Sequence, residues 1–446
     1  MSDNETQPKV RFSAVFNFRE DDAKARIYIL VSTALQSVLV YLTTGYFYTG
    51  FLRGYGIDII DTNILTFIPF AASLFLIFTP SLLTRFPKRK WILASFKFIY
   101  YLCIFVGINI LPEIVTDPTG RLWGMILLTF VGSVFSVIAT AGYSAWHIRY
   151  EQEHIRSYFL SLTQIIGATM AGIFSIVSGL LTDSFSADPQ AQLTFLIILR
   201  YIAFGIGILD CIFLLLPKEV EYPLIHAPRI SDIFLIPMRD RKYMLTMVIV
   251  FLWTFGTNLS AASLAYYLLD TIGMSYTFYN IIILLYAVIF IPVAPFWRKL
   301  IDRTSWFRVF VIGMLIVGPT QIVYGFVQPD NYIVLVLVVR ILQHIAGAGH
   351  NIAFANFQFI NMPVTNRTCY TSFYNVVYQT GSMIGVITGI VFLNLTQNWS
   401  FTAFHYTYTS GVPFLIILSG VIDLMIALYI VIFRRHLEPD LTTEHA

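Results

Sequence analysis

Charge is what this chain of 446 residues has least of: Asp, Glu, Lys and Arg together make up 12%, against ~25% in soluble globular proteins. Hydrophobic side chains take 57%, more than a water-soluble fold hides without exposing large apolar patches. Cysteine is equally scarce, with Cys103, Cys211 and Cys369 each isolated in or beside an apolar run. None of them has the spacing of a metal cluster or a disulfide framework, and they read as small apolar fillers. The chain also lacks H-E-x-x-H, G-x-x-x-x-G-K-[ST] and G-x-S-x-G; Gly142-Tyr143-Ser144-Ala145-Trp146 misses the last glycine. These absences exclude soluble enzymes, nucleic-acid binders and disulfide-rich secreted domains. They also leave no ATP motor in the chain, and no catalytic residue, metal site or cofactor is expected. Residues 1–26 are polar and mixed in charge, unlike a signal peptide, and the first apolar run has no small-residue cleavage site.

Long apolar runs fill the rest. They fall at about 27–52, 62–84, 91–111, 122–146, 158–183 and 192–216, then at 242–269, 278–297, 307–327, 332–357, 369–394 and 406–433. Twelve helices of ~22 residues account for ~264 residues and leave only short connections. The predicted fold class is an all-α integral membrane protein with twelve transmembrane helices in two six-helix bundles, embedded in a lipid bilayer. A tail over 1–26, a bundle over 27–216, a linker over 217–241, a bundle over 242–433 and a tail over 434–446 divide the chain. The linker holds Lys218, Glu219, Glu221, several prolines and a short amphipathic piece from Ile230 to Ile236.

Cations set the orientation. With the N-terminus inside, 23 Lys and Arg fall in cytoplasmic segments, and only Arg53 and Arg121 fall outside; Lys97, Arg200 and Arg340 lie within helices. Both termini and the linker are therefore expected in the cytoplasm, with the chain in the plasma (inner) membrane.

The two halves echo each other at shifts of 211 to 218 residues. Phe51-Leu52-Arg53-Gly54-Tyr55-Gly56-Ile57 recurs as Leu268-Leu269-Asp270-Thr271-Ile272-Gly273-Met274, and Asn63 then falls on Asn280. Leu82-Leu83-Thr84-Arg85 recurs as Leu300-Ile301-Asp302-Arg303, Arg156 to Ser161 as Arg367 to Ser372, and Gly207-Ile208-Leu209-Asp210 as Gly420-Val421-Ile422-Asp423. A parallel six-plus-six repeat with a cytoplasmic linker resembles the major facilitator superfamily over essentially the whole chain. That family carries G-x-L-a-D-R-x-G-R-R after its second helix, echoed after its eighth. Leu300 to Arg303 with Arg308 is similar to the second copy. In the first, Pro80 to Lys90, prolines replace the glycines and Thr84 replaces the acid. The closest likeness is to bacterial members with Phe-Trp-x-x-Leu-Ile-Asp-Arg, as in Phe296 to Arg303. By this resemblance Asp302, Arg303 and Arg85 form a gating loop.

Ionisable groups inside spans need a reason to be there. Lys97 and Asp210 lie about two turns into the third and sixth spans, which the family plan makes neighbours. They read as a coupling pair or a structural ion pair. Asp423, the repeat mate of Asp210, has no evident cation opposite it and is a further coupling candidate. In the tenth span Arg340, His344, Gly347 and Asn351 recur at spacings of four, three and four, giving one stripe. The family plan turns this span to the substrate cavity. A guanidinium fork suits a carboxylate or phosphate, and the imidazole suits proton exchange. The alternative is that Arg340 pairs with a carbonyl or with Asp270, and that His344 is a satisfied interhelical donor. Asn375, Tyr378 and Gln379 on the eleventh span, with Gln36 and Asn258, are further candidates for the lining. Gly381, Gly385 and Gly389, spaced by four, suit close helix packing.

The middle thirds of the first, second, fourth, fifth, seventh, eighth, tenth and eleventh spans carry no acid. With the resemblance, this predicts a monomeric secondary active transporter for a small anionic or polar organic solute, with proton coupling as an option. An exporter of lipophilic compounds or drugs and a transporter-like membrane sensor remain the alternatives. No nucleic-acid partner is expected.

Overall fold

The computed structural model describes residues 20–83, 85–86, 88–147, 150, 153–219, 230–363, 367–396, 399–403 and 406–438. Most of the N-terminal tail, linker residues 220–229 and the C-terminal tail from 439 lie outside the described residues.

Twelve helices are long and apolar enough to cross a membrane: Asp21–Thr43, Ile59–Phe78, Lys90–Ile114, Pro118–Tyr143, Ile165–Ser184, Pro189–Leu215, Arg241–Asp270, Tyr276–Arg303, Trp306–Tyr324, Tyr332–Asn356, Cys369–Leu395 and Val412–Leu437. We number them as spans in this order. A helix satisfies every backbone group internally, which is what hydrocarbon demands.

Two boundaries depart from the apolar pattern. The run expected over 27–52 breaks into Asp21–Thr43 and Gly45–Gly54, because Gly45 takes a φ of +55° that only glycine adopts at little cost. The last span starts at Val412 rather than 406. Residues Phe401–Ala403 and Tyr406–Tyr408 instead pair as an antiparallel hairpin, with Phe401 opposite Tyr408, as their aromatic and β-branched side chains favour.

The internal echo has a structural counterpart. Gly56 and Gly273, matched in the repeat, have φ of +75° and +70°. Each follows a helix end, and each is followed two residues on by a helix cap: Asp58 accepts from Asp61 N at 2.8 Å, and Ser275 accepts from Phe278 N at 3.2 Å. A left-handed residue stops one helix and a capping oxygen starts the next.

The chain forms two compact units. The first comprises residues 1–44, 78–178 and 194–226. Its core joins Ile29, Leu93, Tyr143, Trp146 and Phe159, with a second cluster around Tyr101 and Phe105. The second comprises 45–77, 179–193 and 227–446. In it the seventh span packs on the eleventh and twelfth, and the ninth on the tenth and twelfth. The glycine stripe lies at the first of these contacts. A Cβ on Gly385 would stand 2.4 Å from Phe255 O, and one on Gly389 2.3 Å from Leu259 O.

Candidate functional site

The stripe on the tenth span faces a cavity of about 560 Å³ within the second unit, a size usual for small-molecule sites. Arg340, His344, Gly347 and Asn351 all line it, as do Trp253, Tyr286, Gln321, Gln343 and Asp423. The structure thus brings together four of the candidate residues named above, Arg340, His344, Asn351 and Asp423. Asn351 donates to the Tyr286 hydroxyl at 3.2 Å.

Arg340 is held from behind. Its Nη1 donates to Gln343 Oε1 at 3.1 Å and its Nη2 to Tyr324 Oη at 3.4 Å, and its guanidinium carbon lies 4.6 Å from the Tyr324 ring centroid. Gln343 Nε2 then donates to Gln321 Oε1 at 2.8 Å. Among the described residues no carboxylate pairs with Arg340. Asp270, considered above as its partner, instead meets Arg53 at 2.8 Å. His344 Nε2 lies 3.0 Å from Ile282 O. A carbonyl only accepts, so Nε2 carries the proton and Nδ1 is the atom left to titrate.

A smaller cavity of about 220 Å³ shares Arg340, His344 and Tyr279 with the first and adds Met274 and Tyr324. Tyr46 covers that side: its hydroxyl donates to Met274 O, and its ring stacks on Tyr279 with centroids 4.2 Å apart. Nearby, Asp183 accepts from the backbone N–H of Tyr276 at 2.9 Å and of Thr277 at 2.8 Å. It places a carboxylate on the N-terminus of the eighth span, where the helix dipole favours one.

One expectation needs correction. The cavity was expected to have no acid in its walls, because acids are missing from the spans that the family plan assigns to them. Asp423 reaches the cavity from the twelfth span. It is 8% exposed, and among the described residues no side chain donates to it. Ser419, one turn earlier, spends its hydroxyl on Gly256 O and Leu415 O, both at 2.9 Å.

The other candidates lie elsewhere. Asn375 and Gln379 line a small cleft with Ser73 and Ile77. Tyr378 packs against Phe354 and Tyr374. Asn258 donates to Thr254 O at 2.9 Å and to Ser382 Oγ at 3.2 Å. Gln36 belongs to the first unit, in a cavity of about 130 Å³ with Lys97, Tyr143 and His147. There Lys97 Nζ lies 2.7 Å from Asp210 Oδ2, while Ser32 donates to Oδ1 at 2.5 Å and Tyr101 to Oδ2 at 2.6 Å.

Asp302, Arg303 and Arg85 are exposed. Among the described residues no side chain pairs with them. The charged contact at this end is built on Glu438, which receives Ser305 Oγ at 3.1 Å, Arg434 Nε at 3.0 Å and Arg308 Nε at 3.6 Å. Sequence reasoning missed Gln321, Gln343 and Glu438. The signal for Gln343 was its place three residues after Arg340, on the same side of the helix.

The model of the Major Facilitator Superfamily matches residues 27–385 and 245–444. No match is found among curated proteins. Three solved structures share the fold. A crystal structure of a variant of the nucleoside transporter NupG has a TM-score of 0.68 at 12% identity, covering 93% of this chain and 100% of that one. A D-xylose-proton symporter has 0.66 at 14% identity, covering 91% and 96%. A bacterial homologue of the iron transporter ferroportin, in an inward-facing state, has 0.62 at 13% identity, covering 95% and 100%. Solutes this different on one fold mean that the fold does not select the substrate. The match along the chain, with the twelve spans, shows that the protein belongs to the Major Facilitator Superfamily and is a multi-pass membrane transporter, not an enzyme.

Proposed function

We propose that the protein is a secondary active transporter for a small organic solute whose anionic or acceptor-rich group binds Arg340. The observation that carries this reading is the guanidinium itself. It faces a cavity, is fixed from behind by Gln343 and Tyr324, and lacks a carboxylate partner among the described residues. A half-buried arginine facing a cavity within a span is stable when water or an anionic solute reaches it.

His344, one turn away, is the proton-exchanging group of the site, and a neighbour of the same fold is named a proton symporter. Transport proceeds by alternating access, with residues 1–216 rocking against 242–433. The Arg53–Asp270 pair and the Asp183 contacts at the eighth span break and re-form in each cycle. The chain works as a monomer in the plasma (inner) membrane with both termini in the cytoplasm, as the loop cations favour.

Purified protein in proteoliposomes tests this. Uptake of a carboxylate or phosphate-bearing solute, accelerated by an inward proton gradient, is the expected result. Selective stabilisation by lipophilic dyes with no uptake of acids would favour export of lipophilic compounds. Binding without any flux would favour a sensor.

A further inference from the structure

The cavity around Arg340 is chemically two-sided. On one side the hydrogen bonds run in a single direction. Arginine only donates, so Gln343 turns its oxygen to Arg340 and its amide nitrogen to Gln321 Oε1. With its oxygen taken, Gln321 has its own NH₂ left over, and Gln321 lines the cavity. This side offers donors: the remaining guanidinium N–H groups and the Gln321 amide.

The other side offers an acceptor to which no side chain among the described residues donates. Asp423 lines the same cavity and is 8% exposed. Ser419 beside it is committed to two carbonyls. Its repeat mate Asp210 shows what a satisfied buried carboxylate needs here: one ammonium and two hydroxyls. A carboxylate buried without such partners is costly unless the group is protonated or a cation from outside the chain reaches it.

The two sides lie at similar depth. A Cβ on Gly318 would stand 2.8 Å from Leu424 Cγ and 2.9 Å from Gly420 O, so the Asp423 turn packs on the ninth span at Gly318. Gln321 is less than one turn, ~5.4 Å, further along that span. A solute of a few bonds spans this offset, and a cavity of about 560 Å³ holds it.

We infer that the solute is a small zwitterion, with its carboxylate on the Arg340–Gln321 side and its ammonium on Asp423. The inference rests on the assignment of this cavity to the solute and narrows its chemistry from anion to amino acid. A carboxylate without an amine leaves Asp423 unpaired, and an amine without a carboxylate leaves Arg340 unpaired.

Binding to the purified full-length protein tests it. The probes are the α-amino acids and the ω-amino acids from glycine to ε-aminocaproate. Each is compared with the same molecule lacking the amine and with the same molecule lacking the carboxylate. At least one amino acid is expected to bind about tenfold or more tighter than either fragment, the order expected for a hydrogen-bonded charge pair. Asp423→Asn is expected to reduce that preference to about twofold, affecting the amine-free carboxylate far less. Asp423→Glu, which keeps the charge, is expected to retain most of the preference and controls for misfolding. If carboxylates bind as tightly as the amino acids, and Asp423→Asn changes neither, the zwitterion inference is wrong while the anion site at Arg340 stands. If no probe of any class binds, the zwitterion inference is wrong; if amines alone bind as well as amino acids, the anion site falls and the inference falls with it.

Discussion

Lys97 Nζ sits 2.7 Å from Asp210 Oδ2, with side chains only 10% and 0% exposed, and the hydroxyls of Ser32 and Tyr101 complete the carboxylate's shell. Both oxygens of this acid are engaged from within the first unit, Oδ2 by two donors and Oδ1 by one. Asp423 ends the matching echo in the second half and has no such shell among the described residues. One repeat position thus holds a closed ion pair in one half and an open acid in the other.

The closed pair is expected to act on stability first. Lys97→Met leaves Asp210 without its cation and should cost about 3–5 kcal/mol, read as lower thermal stability in detergent. Combining it with Asp210→Leu removes both charges and should recover most of the loss. If the double variant is as stable as wild type but carries solute without any pH dependence, the pair has a coupling role instead.

Helix packing at the glycine stripe gives a second expectation. Gly385→Ala puts a methyl where Phe255 O stands 2.4 Å away, so the seventh and eleventh spans must separate. Overpacking of this kind costs about 1–3 kcal/mol. A melting curve of Gly385→Ala superimposable on wild type would show that the contact yields freely.

Opening of the cavity on the Tyr46 side is expected to depend on contacts that are individually weak. Arg53 and Asp270 are 46% and 39% exposed, and a surface pair of this kind is worth about 0–1 kcal/mol. Asp183 at the N-terminus of the eighth span adds a comparable amount. Asp183→Asn with Arg53→Gln should therefore shift the conformational balance by several-fold without unfolding the protein. Labelling of a cysteine placed at Tyr279 by an impermeant maleimide should speed up in that background. No change in labelling, with the variant folded, would remove these contacts from the gate.

The loop signature makes a different kind of prediction. Asp302→Asn should slow cycling while leaving solute binding nearly intact, whereas the equivalent change in the first half should matter less because Thr84 already replaces the acid there. Glu438→Gln is the comparison, since Glu438 holds Ser305, Arg308 and Arg434. Loss of binding in Asp302→Asn with normal conformational exchange would contradict a gating role.

The twelve spans were legible because hydrocarbon imposes length and apolarity on every one of them. The Arg340 stripe was legible because a helix converts spacing into a face. Its setting was not. Gln321 and Asp423 join the cavity from the ninth and twelfth spans, and one sequence does not say how those helices are rotated. The sequence already placed a cation opposite Asp210 and none opposite Asp423, but the hydroxyls of Ser32 and Tyr101 around Asp210 were hidden because they come from other spans. The break at Gly45 was hidden for the opposite reason: a single left-handed residue does not interrupt an apolar run.

His344 carries the expected pH response. With Nε2–H committed to Ile282 O, protonation at Nδ1 makes the ring a cation beside Arg340. His344→Gln should keep solute binding but flatten the dependence of uptake over about pH 5–8, the range in which imidazole changes charge. An unchanged profile would move coupling to another group.

The central claim is that Arg340 receives the solute's anionic group, and binding by the Arg340→Lys variant tests it most directly. Lysine keeps the charge but not the two-pronged contact. A panel of short carboxylates, amino acids, inorganic phosphate and sugar phosphates is titrated against the purified wild type and the variant, with folding checked by thermal unfolding without ligand. At least one compound should bind the wild type, and its affinity should fall by about tenfold or more in Arg340→Lys. Equal affinity in both proteins would place the site elsewhere.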